Sequence, residues 1–204
     1  MTGDWHLDRA TDPLPRFARA AIVLADETRV VLDDPRALST LDLHPAGSPP
    51  ELGLGPEPGD PSLTAASLHA ALARRHGPIK PVLLDQRVIA GLGNIYAAES
   101  LWHARIAPTA PASSLSVRDV ARLLTAIRRV IERATGARYT DESVNRLAVY
   151  DREGQPCRRC RTKIERIVQA GRSTYHCPRC QKANGRRRMR TAKLPKGGNA
   201  KRRR

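Results

Sequence analysis

Aromatic side chains are scarce in this 204-residue chain, where tryptophan, tyrosine and phenylalanine together make up 3%. A groove that stacks successive bases of a single strand on aromatic rings needs more of them. No apolar run approaches bilayer-spanning length, and no membrane partner is expected. Acidic residues vanish towards the C-terminus: residues 182–204 hold eleven Lys and Arg and no Asp or Glu. Such a block is expected to be disordered alone and to attract polyanions.

Cysteine is also rare, but its placement is informative. All four cysteines lie between positions 157 and 180, as two C-x-x-C pairs, Cys157/Cys160 and Cys177/Cys180, sixteen residues apart. This is zinc-ribbon spacing: each pair grips a metal from a tight turn, and two turns complete a tetrahedron. Two disulfides are the alternative. No signal peptide is recognisable, so a reducing compartment is expected and metal is favoured. One Zn2+ held by four thiolates has no open coordination position, so its role is structural. Residues 164–168 and 173–176 read as two short strands turned at Ala170-Gly171-Arg172. Such a ribbon does no chemistry; it must present something.

Charge narrows the partner. The formal net charge is +16 and the sequence pI is about 10.9. A basic tail alone could serve solubility. Joined to a basic ribbon, it favours nucleic acid.

Along the chain, residues 1–18 show no clear period. Apolar runs at 20–24 and 29–32 flank Ala25-Asp26-Glu27-Thr28 and predict a β-hairpin, broken at Asp34-Pro35-Arg36. Leu41-Asp42-Leu43 predicts one more short strand. Residues 44–63 are rich in proline and glycine and predict a linker. The chain then becomes helical. Thr64 can cap a helix to about residue 76, closed by Gly77-Pro78. Pro81 suits the first turn of a second helix over 81–89. Gly91-Leu92-Gly93-Asn94 interrupts, and Asn94 can cap a third helix through Trp102. Ser116 and Asp119 form a capping-box pattern. Val117, Val120, Leu124, Ile127, Ile131 and Ala134 then recur at helical spacing and predict a fourth, amphipathic helix. Its arginines 118, 122, 128, 129 and 133 lie mainly off that stripe and read as a solvated face. No internal repeat is visible.

The turn between the second and third helices can do chemistry. Glycines let another backbone approach closely, and free amides at the next helix start suit a phosphate. A short G-x-G alone is weak evidence. Here it lies within IKPVLLDQRVIAGLGNIYAAESLW, residues 79–102. That string closely resembles the helix–two-turns–helix segment of the formamidopyrimidine-DNA glycosylase and endonuclease VIII family. Further matches follow the family's order. MTG-x-W resembles the end of a buried family strand, and the hairpin followed by DPR resembles its DNA-facing turn. LGPEP at 54–58 resembles the interdomain segment, and VYDREGQPC and GRSTYHCPRCQ resemble the two ends of its ribbon. The resemblance covers roughly residues 1–182.

The resemblance implies an α+β fold. Residues 1–43 would be a remnant of an N-terminal β-sandwich, 64–150 a helix–two-turns–helix DNA-binding domain, 151–182 a zinc ribbon hairpin and 183–204 a basic tail. It implies a partner too, double-stranded DNA with a damaged base or abasic site, met by a monomeric, cytoplasmic, bacterial-type, nucleoid-associated protein. Lys80, Gly93 and Asn94 match residues at the phosphates flanking the lesion. Arg172 matches the arginine that grips the phosphate of the flipped nucleotide and assists strand cleavage. A guanidinium on a rigid hairpin tip suits that task. Met1 matches the methionine that fills the gap left by the extruded base, and Arg36 the arginine facing the orphan base.

The chain also departs from the family. Members begin Pro-Glu, the proline amine being the nucleophile and the glutamate moving protons, and a later hairpin lysine donates a proton. None has a counterpart here. The aromatic wedge after DPR is replaced by Ala37-Leu38-Ser39, and residues 136–147 shorten a loop that caps 8-oxoguanine in some members. The first expectation is a base-excision glycosylase/AP lyase whose true start lies upstream of Met1, inactive from Met1 onward. The second is a short DNA-binding module without glycosylase chemistry. The third, a zinc-ribbon RNA- or ribosome-associated protein, leaves the IKP…GLGN string unexplained.

Overall fold

A computed structural model describes residues 3–48, 50–134 and 147–182. The predicted basic tail and nearly all of the shortened loop therefore lie outside the described residues. The chain divides into two compact units, one up to Glu51 and one from Leu52 onward.

The first unit is a three-stranded antiparallel sheet of Asp4–Arg9 (β1), Ala18–Val23 (β2) and Thr28–Asp33 (β3), in the order β1-β3-β2. The predicted hairpin is β2 and β3, with Ile22 opposite Val30 and Ala21 opposite Val31. β1 carries no clear apolar alternation, yet it pairs along its full length with β3. The buried side chain of Arg29 explains the pairing. It grips both carboxylate oxygens of Asp8 at 2.8 Å and donates to the carbonyl of Asp12 at 2.8 Å. A bidentate pair of this kind fixes register as well as adding energy. Trp5 and Ile22 are about half exposed and Leu7 more so, all on one face of the sheet.

The strand predicted at Leu41-Asp42-Leu43 does not form; those residues are exposed and have no partners in the sheet. The chain leaves β3 instead through the buried carboxylate of Asp34. It accepts the amide protons of Arg36, Leu38 and Ser39 and the hydroxyl of Ser39. Those hydrogen bonds, Ser39 first, hold its pKa down to about 2.

The second unit begins inside the predicted linker. Gly55 donates its N–H to the Gln86 carbonyl, and Leu63 is buried. Among the described residues four helices follow: Ala65–Ala73 (α1), Ile79–Leu83 (α2), Asn94–Ala104 (α3) and Val117–Ala134 (α4), with a 3-10 turn at Ala112–Ser114. Thr64 caps α1 as expected, reciprocally with Ser67, and Ser116 with Asp119 caps α4. The second helix is earlier and shorter than the predicted 81–89. It starts after Pro78, and the Asp85 carboxylate takes the Arg87 amide, turning the chain out of the helix.

α4 buries Val120, Leu123, Leu124, Ala126, Ile127 and Val130, whereas Val117 is exposed. Two of its arginines are not merely solvated. Arg122 donates to the Ala104 carbonyl at 2.7 Å, and Arg128 to those of Pro58 and Leu63 at 2.9 and 2.8 Å. Off-stripe position says nothing about such carbonyl partners, which come from distant chain.

The ribbon is an antiparallel hairpin of Glu165–Gln169 (β4) and Arg172–His176 (β5), with Gln169 opposite Arg172. α3 has two buried faces. Ala97 and Leu101 enter the helical core with Leu83, Leu92 and Ile127. Ala98 and Trp102 pack with Val149, Ile164, Tyr175 and the cysteines. The ribbon is thus docked on the helix that follows the glycine turn. No helix among the described residues is long and apolar enough to cross a membrane.

Candidate nucleic-acid interface and metal centre

The four cysteine sulfurs lie within 4.8 Å of one another, with Cys157 and Cys160 from one turn and Cys177 and Cys180 from the other. The separations of Cys157 from Cys180 and Cys160 from Cys177 are 4.0 and 3.4 Å. A tetrahedral zinc with bonds of about 2.3 Å sets sulfurs about 3.8 Å apart, so the cluster fits the ion. The sulfurs also receive donors that suit thiolates: the amides of Arg159 and Cys180 at 3.4 Å and the Trp102 indole N–H at 3.5 Å. Hydrogen bonds from Thr162 pull the Cys160 thiol down to about 6, while burial pushes Cys177 up to about 12. Four crowded thiols cannot all ionise without a cation among them, and a bound dication permits it. Arg159 adds positive charge, its guanidinium 4.0 Å over the Trp102 ring.

Around the ribbon tip, the sequence-predicted residues come together. The Lys80 side chain on α2 is buried, 1% exposed. Its ammonium donates to Asn94 Oδ1, to Thr174 Oγ1 at 2.8 Å and to the Ser173 carbonyl at 3.1 Å. Asn94 Nδ2 donates to the same carbonyl at 3.1 Å. The expected capping role of Asn94 is not observed. Gly93 is the N-cap, in extended backbone, and the Asn94 side chain is occupied by Lys80 and β5. Because no side chain caps α3, its first amides stay open to an anion. A Cβ on Gly93 would meet nothing within 4 Å, so the turn faces open space there.

Arg172, the first residue of β5, is exposed and has no carboxylate partner among the described residues. Burial of Lys80, and after it the charge of Arg172, lower the Lys80 pKa to about 8. Arg36 belongs to the first unit, on an exposed turn, with its amide on Asp34. Met1 lies outside the described residues.

Sequence reasoning missed several supports. The buried carboxylate of Glu99 accepts the amides of Ala148, Val149 and Tyr150 at 2.7 to 2.9 Å, fixing the entry to the ribbon. Gln181 fixes the exit, taking the Cys177 amide at 2.8 Å and donating to the Ile106 carbonyl at 3.0 Å. A glutamate within an otherwise small and apolar stretch of α3 was the available signal.

The formamidopyrimidine-DNA glycosylase H2TH domain family matches residues 54–144, and the zinc finger found in FPG and IleRS matches residues 154–183. A formamidopyrimidine-DNA glycosylase of Thiobacillus denitrificans is 41% identical over 196 residues, spanning 89% of this chain and 73% of the relative. The chain belongs to the formamidopyrimidine-DNA glycosylase family. A second glycosylase of the family, from Rhizorhabdus wittichii, is 42% identical over 200 residues, 89% of this chain and 72% of its own. The glycosylase fold is shared as well. The crystal structure of the Thermus thermophilus Fpg (MutM) protein superposes with a TM-score of 0.77 at 38% identity, covering 91% of this chain and 74% of that one. The Lactococcus lactis glycosylase, solved non-covalently bound to DNA containing an AP site, gives a TM-score of 0.80 at 29% identity, covering 89% and 71%. The glycosylase zinc finger and the four-cysteine cluster together make Cys157, Cys160, Cys177 and Cys180 the ligands of one structural zinc.

Proposed function

We propose that this chain, as a single copy, grips duplex DNA at a damaged base or abasic site, seating a lesion-flanking phosphate between Arg172 and the start of α3. The observation that carries this reading is Arg172. Its guanidinium is exposed and without a carboxylate partner among the described residues, at the tip of a hairpin anchored on two helices. Beside it lies a buried ammonium whose three partners are all neutral. Two cations and a row of open amides make a site that an anion completes. The overall charge of +16 draws a polyanion towards it. The relative solved with AP-site DNA supports the abasic site as ligand.

In this reading Arg36 faces the orphan base and Met1 fills the gap left by the extruded one. Residues 1–204 carry no counterpart of the Pro-Glu start. A polypeptide running from Met1 to Arg204 therefore binds such DNA without forming a Schiff base.

Fluorescence anisotropy with duplexes carrying a tetrahydrofuran abasic analogue tests the grip. Preference over undamaged duplex should be about tenfold or more, and affinity should fall steeply with salt. Arg172→Ala should remove most of the preference. Equal binding to damaged and intact duplex would overturn the reading, and tighter binding to RNA would favour the RNA-binding alternative.

A further inference from the structure

Lys80 has no hydrogen to spare. An ammonium has three protons, and here Asn94 Oδ1, Thr174 Oγ1 and the Ser173 carbonyl take one each. The side chain is 1% exposed, so the burial is nearly complete. Two of its three acceptors belong to β5, directly after Arg172 in the chain. The Ser173 carbonyl accepts a second bond, from Asn94 Nδ2. On the other strand of the tip, Gln169, paired with Arg172, donates to the Pro108 carbonyl at 3.2 Å. The tip on either side of Arg172 is thus pinned to the helical part, and Lys80 supplies two of these four pins.

We propose that Lys80 is a positioning residue that acts on DNA through Arg172, by holding β5 against the start of α3, and is not itself a phosphate ligand. A ligand role would require Lys80 to release Asn94 Oδ1 or a β5 oxygen that it already holds in a dry contact, which is unfavourable. The strut role needs no rearrangement. The inference rests on the reading of Arg172 as a phosphate clamp, and the experiment separates the two.

The test is a double-mutant cycle in abasic-duplex affinity, with Lys80→Met and Arg172→Ala, zinc content and circular dichroism serving as folding controls. A strut predicts that Lys80→Met weakens binding by about tenfold in the wild-type background and by less than about threefold once Arg172 is gone, since coupled residues are non-additive. Equal losses in both backgrounds would overturn the proposal. Thr174→Val is the second variant. It keeps the ammonium and removes one acceptor. A strut predicts a loss of several-fold, whereas unchanged affinity contradicts it; this arm stands even if Lys80→Met does not fold. Amide hydrogen exchange of Ser173, Thr174 and Tyr175 in the DNA-free protein should accelerate in both variants, and unchanged exchange argues against a strut. If Arg172→Ala alone leaves affinity untouched, the clamp reading fails, while the exchange arm still reports on the strut.

Discussion

The indole N–H of Trp102 donates to the sulfur of Cys157 across 3.5 Å, so α3 reaches into the metal centre's outer sphere. Such outer partners commonly contribute about ten- to a hundredfold in metal affinity. Trp102→Phe should weaken zinc binding by about tenfold, as read by competition with a chromophoric chelator. In a Trp5→Phe background, stripping the zinc should also change the emission of Trp102. An emission spectrum blind to chelation would contradict the contact.

Glu99 should be the most sensitive single carboxylate in the helical unit. Its two oxygens accept three amides, and the charge of Arg152 lies within its electrostatic reach. Glu99→Gln puts an NH2 against those donors and should destabilise by about 2–3 kcal/mol, the scale of a lost charged acceptor and an unpaired donor. Urea unfolding followed by circular dichroism measures it.

Gly55 is required by a close approach. A Cβ there would meet the Arg87 carbonyl oxygen at 2.5 Å, a backbone atom that cannot swing aside. Gly55→Ala should cost about 1–3 kcal/mol by overpacking, visible as a lowered melting temperature. A melt identical to wild type would mean that residues 54–58 are not held against the α2–α3 turn.

The pH response of Lys80 has opposite signs for folding and for binding. Burial and Arg172 depress its pKa from 10.5 to about 8. The unfolded chain therefore binds more protons between about pH 8 and pH 10.5, and stability from this group rises across that window. A phosphate beside Arg172 favours the ammonium, so DNA affinity should fall as pH climbs through about 8. Lys80→Met should flatten both slopes. Anisotropy titrations and thermal melts over pH 7 to about 9.5 check the pair of signs.

Borohydride reduction traps a Schiff base between a glycosylase amine and abasic DNA. The polypeptide from Met1 to Arg204 should give no trapped adduct while still shifting the duplex in a native gel. A robust adduct would show that another amine takes over the proline's task.

The metal centre was readable because ligand spacing is a covalent constraint: two C-x-x-C turns fix which sulfurs meet, and Cys157 to Cys180 assemble accordingly. α4 was readable because a 3.6-residue stripe reports burial directly. Asn94 was not. As a residue type it favours caps, and only a lysine fourteen residues earlier and a strand about eighty residues later divert it. β1 escaped for a similar reason. Its pairing is stabilised by Arg29 from β3 and not by an alternation of its own. The linker expectation blurred where Arg128, far along α4, collects carbonyls from residues 58 and 63. In each case the deciding partner is remote in sequence.

The hairpin turn of the ribbon has one more consequence. Ala170 and Gly171 both adopt positive φ, 47° and 71°, the pair of angles a tight two-residue turn demands. Alanine pays a conformational penalty there that glycine does not, yet the turn keeps it. An alanine also samples fewer shapes than glycine when the tip is loose. In the proposed clamp, the backbone that carries the Arg172 guanidinium has therefore surrendered much of its freedom before any phosphate arrives. Association would then have less motion left to freeze, and slower release of DNA is the expected consequence of that clamp.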